Sequence, residues 1–429
     1  MLRHRFATLL VLLSVSAFLS GQSTPFIFGD ALPDAPELAE RGSYKVGVRT
    51  LQLVHKTQID VLHSQNGNDP LYDRPLTVEV WYPGKLAEGD LEEVEYDQLM
   101  GTANDSLRPL IPFKSKGRSA RSVEPLAEAA KYPLVVVSHG YVGSRYLMTY
   151  LTENLASKGY VVVAIDHTDS TFGDAAAFQS TLLNRAKDIG FVIDEIESLA
   201  AQDSKSFLRN LVDVQNTAII GYSMGGYGVL NVAGAGYSDQ LAAFFVGMTG
   251  GSKAIEVLTA GHPNFKGGQD HRIKAVVAFA PWGMERGVWD SEGLLGLKIP
   301  TFFVAGSQDD ISGYEKGIKA IYNGARKADR YLLTYRNARH NVAPNPPPVE
   351  SLAPGLPFDE YYRYAEPAWD ERRINNINQH FVTAFLGIHL KNEDYAKYLE
   401  LEEDSNAKGW MGFPTRSSTG MELLHSSAE

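Results

Sequence analysis

The apolar run Thr217–Ile220 continues without a spacer into Gly221–Gly225, which has the sequence G-Y-S-M-G. A G-x-S-x-G pattern directly after a buried strand predicts a sharp strand-to-helix turn that exposes a serine hydroxyl at the end of a sheet. Glycine is needed beside such a turn because side chains there would clash. Since the chain has 39 glycines, the pattern alone could arise by chance. The rest of the chain must therefore support a nucleophilic role for Ser223.

The segments around this turn alternate between strand-like and helix-like patterns. Continuous apolar runs predict buried strands, and amphipathic stretches predict helices at 144–158 and 174–201. The predicted strands are Tyr132–Ser138, Tyr160–Ile165, 217–220, Ile273–Phe279, Thr301–Val304 and Tyr331–Tyr335. Two earlier segments, Tyr44–Val54 and Leu76–Tyr82, alternate in the strand manner and predict an antiparallel pair. The fold class is therefore predicted as α/β, with a mostly parallel central sheet and helices on both faces.

The N-terminus has the pattern of an export signal. A basic start precedes the apolar core Leu9–Leu19, and small residues follow it. We predict a signal peptide at 1–23, and hence a secreted or periplasmic protein. The alternative is an N-terminal membrane anchor, for which an apolar run of about a dozen residues is short.

The remainder divides into a lead-in and one domain. Residues 24–43 are rich in proline and acidic residues and are expected to be disordered, and 44–429 are predicted to form one catalytic domain. Residues 84–130 are charged, have no clear periodicity and are expected to form a surface insertion. The glycine-rich stretch 234–271 is a candidate lid, with ordinary packing against the domain as an equal alternative.

Composition excludes several classes of partner and chemistry. The net charge of −11 argues against nucleic acid and anionic membrane as partners. The chain has no cysteine, which excludes disulfides, thiolate metal sites and a cysteine nucleophile. No later stretch is apolar enough for a stable membrane span, and no metal or cofactor is implied.

A serine nucleophile requires a base, and the base requires an orienting acid. With this type of turn the order along the chain is serine, acid, histidine. Asp309 follows the strand Thr301–Val304, and His340 lies in the loop after the next strand. Both therefore fall at the carboxyl edge of the sheet, where catalytic groups collect.

Three other residues compete for these roles. Asp310 is the rival acid, although Asp309 is nearer the strand end. His380 is the rival base, but its surroundings are helical and favour a structural role. His139 precedes a loop glycine, which indicates that it braces the loop.

An oxyanion hole needs two donors that are fixed in place beforehand. We predict the backbone N–H groups of Met224, directly after the serine, and of Tyr141, in the loop after the first parallel strand. Gly140 would allow the close turn there. Trp282 follows a strand end and is predicted to line the substrate pocket, with a buried structural role as the alternative.

The segments VVVSHGYVGSR, LASKGYVVVAIDHTDS, GYSMGG, FFVAGSQDD and NARHNVAP resemble bacterial secreted proteins labelled predicted dienelactone hydrolases, within the α/β-hydrolase superfamily. More distantly, the chain resembles the platelet-activating-factor acetylhydrolase group, to whose strand before the catalytic core PLTVEVWYPG is similar. The resemblance implies an α/β-hydrolase fold with a probable lid.

The chain departs from both groups. True dienelactone hydrolases use a cysteine nucleophile, which this chain lacks. In the acetylhydrolases the acid follows the strand that comes after the helix at the nucleophile. Here that strand ends at Phe279 and is followed by Ala-Pro-Trp, with no carboxylate at the matching place. The acid must then lie one strand later, which strengthens Asp309 and weakens any transfer of substrate preference.

These features together predict a serine hydrolase that cleaves small-molecule or lipid-like carboxylic esters through an acyl-enzyme. A lipid or phospholipid acyl hydrolase, a polyester hydrolase and an acyltransferase would use the same residues and stay open. A non-catalytic binding protein on the same fold is the alternative from another class.

Overall fold

The structure, a computed structural model, describes residues 26–400 and 409–429. The predicted export signal at 1–23 lies outside these residues. The strands are β1 Val46–Ile59, β2 Leu71–Lys85, β3 Val94–Met100, β4 Ile111–Gly117, β5 Ala120–Arg121, β6 Glu124–Pro125, β7 Tyr132–Ser138, β8 Val161–Asp166, β9 Val212–Tyr222, β10 Ile273–Phe279, β11 Thr301–Gly306, β12 Arg330–Tyr335 and β13 Met421–Ser426. The α-helices are α1 Thr149–Ser157, α2 Phe178–Ala200, α3 Met224–Val232, α4 Asp239–Met248, α5 Ser291–Leu294, α6 Lys319–Gly324, α7 Phe358–Tyr362 and α8 Glu371–Lys391.

Within the described residues, the central sheet has the strand order β13-β12-β11-β10-β9-β7-β8-β2-β1-β5. The six strands from β12 to β8 are all parallel. β13 and β2 pair antiparallel with their neighbours, and β1 pairs antiparallel with β2 but parallel with β5. Every residue of β7 is buried, as expected for a strand that is covered on both faces. The predicted mostly parallel sheet is confirmed.

Two pairs of helices cover the sheet. α1 packs with α8, α2 packs with α3, and each pair contacts the central strands. This is the layering expected when right-handed crossovers connect parallel strands. The order brings the carboxyl ends of β7, β9, β11 and β12 to one edge, which holds the site described below.

The lead-in is ordered over its described part, so the expectation of a disordered segment is wrong for residues 26–43. Ile27 and Ala39 are buried. The Leu32 N–H donates to Asn376 Oδ1 at 2.9 Å, and the Leu38 N–H donates to His380 Nδ1 at 3.1 Å. Buried polar side chains of α8 thus satisfy the backbone of a segment whose composition alone favours disorder.

Residues 84–130 also differ from the expected surface insertion. β3 and β4 form an antiparallel hairpin, and alternate residues of both strands are buried. The Tyr96 hydroxyl in this hairpin is buried and donates to Glu153 Oε1 of α1 at 2.5 Å. The turn between the two strands carries Arg108 to the edge of the sheet that holds Ser223.

The stretch 234–271 contains α4 and packs along α2. Phe244 and Met248 of α4 line a cavity with Phe178 and Leu182 of α2. The pocket at Ser223 is instead lined by the β3–β4 turn and the segment that begins with α7. The described residues therefore favour the packing alternative for 234–271 over a lid above Ser223. No described helix is both long enough and apolar enough to cross a bilayer.

Candidate active site

Ser223 lies at a strained turn between β9 and α3. Its φ is 53° and its ψ is −112°, and it is the N-cap residue of α3. A Cβ at position 221 would clash with the carbonyl of Gly225, and one at 225 would clash with the carbonyl of Ser138. The two glycines of the motif are thus required by close backbone packing, and the strain orients the serine hydroxyl out of the sheet.

His340 lies between Ser223 and Asp309. Its Nε2 is 2.9 Å from Ser223 Oγ, and its Nδ1 is 2.8 Å from Asp309 Oδ2. Because an ionised carboxylate can only accept, Nδ1 carries the ring proton and Nε2 accepts from the serine hydroxyl. The three side chains therefore form one directed chain of hydrogen bonds.

Asp309 is held ionised by its surroundings. Burial by itself would raise its pKa, but His340 and two backbone amides bring the pKa below its ordinary value. Its Oδ1 accepts from the N–H groups of Ile311 and Ser312 at 2.9 and 2.8 Å. The rival Asp310 is exposed and paired with Arg339, so the structure places it outside this chain of hydrogen bonds.

The other predicted rival, His380, is fully buried in α8 and accepts from the backbone of the lead-in. Burial, followed by the charge of Lys158, lowers its pKa to about 3. It lies in the middle of α8 and does not line the pocket at Ser223, so it belongs to the packing of that helix.

A buried carboxylate braces the loop of His340 from both sides. One oxygen of Glu366 accepts from the Arg339 N–H and the other from the Asn341 N–H, each at 2.6 Å. The Asn341 side chain in turn accepts from the Tyr222 hydroxyl at 3.1 Å. Sequence reasoning missed Glu366, because nothing local marks it as the partner of a loop that lies about 25 residues earlier.

The predicted oxyanion donors lie on two different elements at the same edge. Met224 begins α3, and Tyr141 lies in the loop after β7. Within the described residues, neither backbone N–H has a protein acceptor. The Tyr141 hydroxyl donates to the Ala176 carbonyl at 2.6 Å, which anchors the loop at its outer end. Gly140 lies against Tyr222 and Ser223, as its predicted role in a close turn requires.

Behind this loop lies a second chain of the same residue types, which the sequence analysis did not predict. The Ser138 hydroxyl donates to His167 Nε2 at 2.9 Å, and His167 Nδ1–H donates to Asp188 Oδ2 at 2.9 Å. Arg74 binds both oxygens of Asp188, at 2.9 and 3.0 Å. All four side chains are buried.

His139 connects this second chain to the loop after β7 that carries Tyr141. Its Nε2 accepts from the His167 backbone N–H at 3.2 Å, so its Nδ1–H donates to the Gly140 carbonyl at 2.6 Å. Arg185 donates to the carbonyl of His139 at 2.8 Å. Burial and the charge of Arg185 lower the pKa of His139 well below its usual range, which keeps the ring neutral. His139 therefore braces the loop in this structure.

The pocket in front of Ser223 has a volume of about 260 Å³. Its walls include Tyr141, Phe172, Arg108 and Arg363. Sequence reasoning missed both arginines, because they lie on segments whose meeting depends on tertiary packing. Trp282 lies beside this pocket. Its backbone N–H donates to the Ser223 carbonyl at 3.1 Å, and the residue lines the neighbouring cavity of about 430 Å³.

Comparison with known families finds one whose sequence model matches part of the chain. The family described as "PETase: PET hydrolase-like" matches residues 119–249. This segment contains Tyr141 and Ser223 and ends before Asp309 and His340.

Several curated proteins are similar at low identity. The cutinase est1 of Thermobifida alba is 25% identical over 50% of this chain and 55% of the cutinase. The cutinase est2 of the same organism is 25% identical over 54% of this chain and 60% of that protein. The platelet-activating factor acetylhydrolase of Cavia porcellus is 22% identical over 89% of this chain and 85% of that enzyme. The chain thus spans little more than half the length of the first two cutinases.

A solved structure shares the fold over most of its length. The ferulic acid esterase from Streptomyces cinnamoneus matches with a TM-score of 0.56 at 19% sequence identity, covering 91% of this chain and 99% of the esterase. The predicted α/β-hydrolase fold is confirmed. The fold and these likenesses place the chain in the α/β-hydrolase superfamily.

Proposed function

We propose that this protein hydrolyses carboxylic esters through an acyl-enzyme formed on Ser223. The observation that carries the proposal is the directed chain of hydrogen bonds from Ser223 through His340 to Asp309. That chain ends at a pocket lined by Ser223 and Tyr141. The cutinases and the ferulic acid esterase are ester hydrolases by name, which supports the same reaction class here.

In the acylation step, Ser223 Oγ attacks the ester carbonyl while its proton passes to His340 Nε2. Asp309 keeps the proton of His340 on Nδ1 and stabilises the imidazolium that forms. The negative charge that develops on the carbonyl oxygen is stabilised by the N–H groups of Met224 and Tyr141. The proton on Nε2 is then given to the leaving alcohol, and the acyl group stays on Ser223.

In the deacylation step, water takes the place of the alcohol. His340 Nε2 removes a proton from the water, and the resulting hydroxide attacks the acyl carbon. The tetrahedral intermediate collapses with return of the proton to Ser223. An alcohol acceptor would give acyl transfer by the same route, so the balance of products separates the two outcomes.

We propose that Trp282 contributes to substrate binding from the side of the neighbouring cavity. Its ring packs edge-on against Phe178 at 5.2 Å, and Phe178 packs edge-on against Tyr141 at 5.5 Å. These three rings form a continuous apolar surface from the oxyanion loop toward α4, suited to an extended or aromatic substituent.

We further propose that the protein is exported, on the basis of the signal-like residues 1–23. Expression in a bacterium that recognises the signal, followed by intact-mass analysis of the extracytoplasmic fraction, tests this. Loss of the first residues from the mature chain supports export with cleavage, and retention of the whole chain in the membrane supports the anchor alternative.

The reaction is tested by treating the folded protein with a fluorophosphonate. One added phosphonyl group on the native protein, absent from Ser223→Ala, supports an activated serine. Turnover of neutral 4-nitrophenyl esters in the same preparations then supports hydrolysis. No label and no turnover on a folded sample would overturn the proposal in favour of a non-catalytic binding protein.

A further inference from the structure

The wall of the pocket opposite the nucleophile carries two guanidinium groups. Arg108 comes from the β3–β4 turn and Arg363 from the residue that follows α7, and both line the pocket together with Ser223. They are brought together by contacts between segments about 250 residues apart. Neither residue takes part in the proposed proton transfers.

Arg108 is fixed in place by a buried carboxylate that it shares with a backbone N–H group. Glu360 is buried and accepts from Arg108 Nε at 2.7 Å and from the Gly101 N–H at 2.9 Å, one on each oxygen. Arg108 Nη2 is itself buried and has no hydrogen-bond partner among the described residues. A buried guanidinium nitrogen without an acceptor is costly, so the charge of Arg108 is incompletely satisfied by the described residues.

Arg363 has still fewer partners. Its Nη2 donates to Thr102 Oγ1 at 3.1 Å, and its guanidinium lies 5.5 Å from the ring centre of Phe172. No described carboxylate lies within ion-pair distance of Arg363. Burial, followed by the charge of Arg108, lowers the pKa of Arg363, and the charges of Glu360 and Asp359 oppose this.

The charge of Arg363 also acts at the reaction centre. Burial raises the pKa of the Tyr141 hydroxyl, and the charge of Arg363 opposes that rise. The same guanidinium acts on Tyr222, next to the nucleophile. Because Arg363 and Ser223 line the same pocket, a group bound at Arg363 would share that pocket with an ester held at Ser223.

The two other carboxylates that line the pocket do not neutralise this pair. Asp310 is engaged with Arg339. The Asp359 side chain is 66% exposed and lies 4.0 Å from Arg108 Nη1, at the limit of an ion pair. An exposed carboxylate at that distance contributes little, whereas a substrate carboxylate could bind the planar guanidinium directly.

We propose that this pocket selects esters that carry a carboxylate, bound by Arg363 with Arg108. The proposal rests on the proposed function of Ser223, and it names the substrate class: half-esters of dicarboxylic acids, or esters whose alcohol part bears a carboxylate. Carboxylate and guanidinium match in a planar, two-bond geometry that a neutral ester cannot use.

Two matched substrate pairs test the proposal. Mono-4-nitrophenyl adipate against 4-nitrophenyl hexanoate places the carboxylate on the acyl side. The ester 4-(butanoyloxy)benzoate against 4-(butanoyloxy)benzamide places it on the alcohol side. We expect kcat/KM to favour the charged member of at least one pair by about 10- to 100-fold, because a charge-assisted pair of hydrogen bonds is gained.

Arg363→Gln should lower kcat/KM for the charged member of the preferred pair more than for its neutral partner, mainly through KM, and so remove most of the preference. Arg363→Lys, which keeps the charge without the planar fork, should restore part of it. The matched control is Arg209→Gln, an exposed arginine in the loop before β9, which should change neither pair. Arg108 is left intact, since its removal would leave Glu360 buried and unpaired.

The outcomes separate this proposal from the previous one. Ser223-dependent turnover of neutral esters without preference for either charged substrate would overturn the carboxylate proposal alone. An equal fall for charged and neutral esters in Arg363→Gln would overturn it too, because the arginine would then act on the fold of the pocket. No turnover of any ester would overturn the proposed function itself.

Discussion

Two chains of serine, histidine and aspartate lie on either side of the loop that carries Tyr141. In the pocket, Ser223 Oγ and His340 Nε2 are 2.9 Å apart, and in the buried chain Ser138 Oγ and His167 Nε2 are also 2.9 Å apart. The distances from histidine to aspartate are 2.8 and 2.9 Å. The connectivity and spacing are thus the same, and the difference between them must lie in their surroundings.

The first difference is the backbone. Ser223 has a φ of 53° at a strand-to-helix turn, with the first N–H groups of α3 beside it. Ser138 is the last residue of β7 and is fully buried in the sheet. Of the two serines, Ser223 lines the pocket and Ser138 does not. A substrate carbonyl can therefore approach the hydroxyl of Ser223 but not that of Ser138.

The second difference is the charge around the carboxylate. Asp309 accepts hydrogen bonds from neutral donors only, namely two backbone N–H groups and the ring of His340. Its negative charge can therefore stabilise an imidazolium. Asp188 is paired with Arg74, which compensates that charge. Burial, together with the nearby Arg185, lowers the pKa of His167 to about 3. His167 is therefore held neutral. The buried chain of Ser138, His167 and Asp188 serves to position the loop that carries Tyr141.

The sharpest way to break this comparison is to remove each serine hydroxyl. Ser223→Ala should lower kcat for any ester substrate by about 10⁴-fold or more, because no nucleophile remains. Ser138→Ala should keep fluorophosphonate labelling and lose about 1–3 kcal/mol of unfolding free energy, because His167 Nε2 is left buried without a donor. Kinetics and urea unfolding of both variants measure this. Equal loss of labelling in both would show that the buried chain takes part in the chemistry.

The second test exchanges the two carboxylates for amides. Asp309→Asn should lower kcat by about 10³- to 10⁴-fold with a small change in stability, since the histidine tautomer is no longer fixed. Asp188→Asn should cost about 3 kcal/mol of unfolding free energy, because the buried Arg74 loses the charge of Asp188 and keeps only its ion pair with Asp169. Thermal unfolding and kcat separate the two effects. The comparison fails if Asp309→Asn unfolds the protein while Asp188→Asn is as stable as the parent.

These contrasts also show what the sequence could supply. The turn at Ser223 and the order Ser223, Asp309, His340 were predictable because each residue lies shortly after the end of a strand whose apolar run is visible locally. The buried chain was not, because Asp188 lies in the middle of a helix where a charged residue ordinarily faces solvent. Its meaning depends on Arg74, which lies 114 residues earlier.

The same limit applies to the lead-in and the pocket wall. The composition of residues 26–43 predicts disorder, but the hydrogen bonds that order them come from α8, about 340 residues later. Arg363 and Arg108 meet only because Glu360 ties the β3–β4 turn to α7. Local patterns predict strands and the residues at their ends, whereas pairings between distant segments require the fold.

A smaller effect is expected from removing the carboxylate of Glu366, which braces the loop that carries His340. The buried chain has no counterpart of this brace. In Glu366→Gln the side chain has only one acceptor oxygen, so one of the two backbone N–H groups loses its acceptor and faces the amide NH₂ group, which is itself a donor. We expect kcat to fall about tenfold through a displaced His340, with a matching fall in the rate of fluorophosphonate labelling. The control is Glu422→Gln, at a half-buried carboxylate of β13 that pairs with Arg336. Unchanged kcat in Glu366→Gln would show that the loop holds its geometry without this brace.

A graded effect is expected on the pH dependence of stability. The pKa of His167 is lowered from 6.5 to about 3 in the folded protein. Between these values the unfolded chain binds a proton that the folded chain excludes, so the unfolding free energy should fall as pH falls from 6.5 toward 3. One such group contributes a slope of at most about 1.4 kcal/mol per pH unit.

His167→Asn should reduce this slope by about 1.4 kcal/mol per pH unit, which is the contribution of one proton. Urea unfolding of the variant and the parent at a series of pH values gives both slopes. A slope that is the same in His167→Asn and in the parent would mean that His167 is protonated in the folded state. The buried chain would then hold an imidazolium after all, and the charge of Arg74 would not be what distinguishes it from the chain at Ser223.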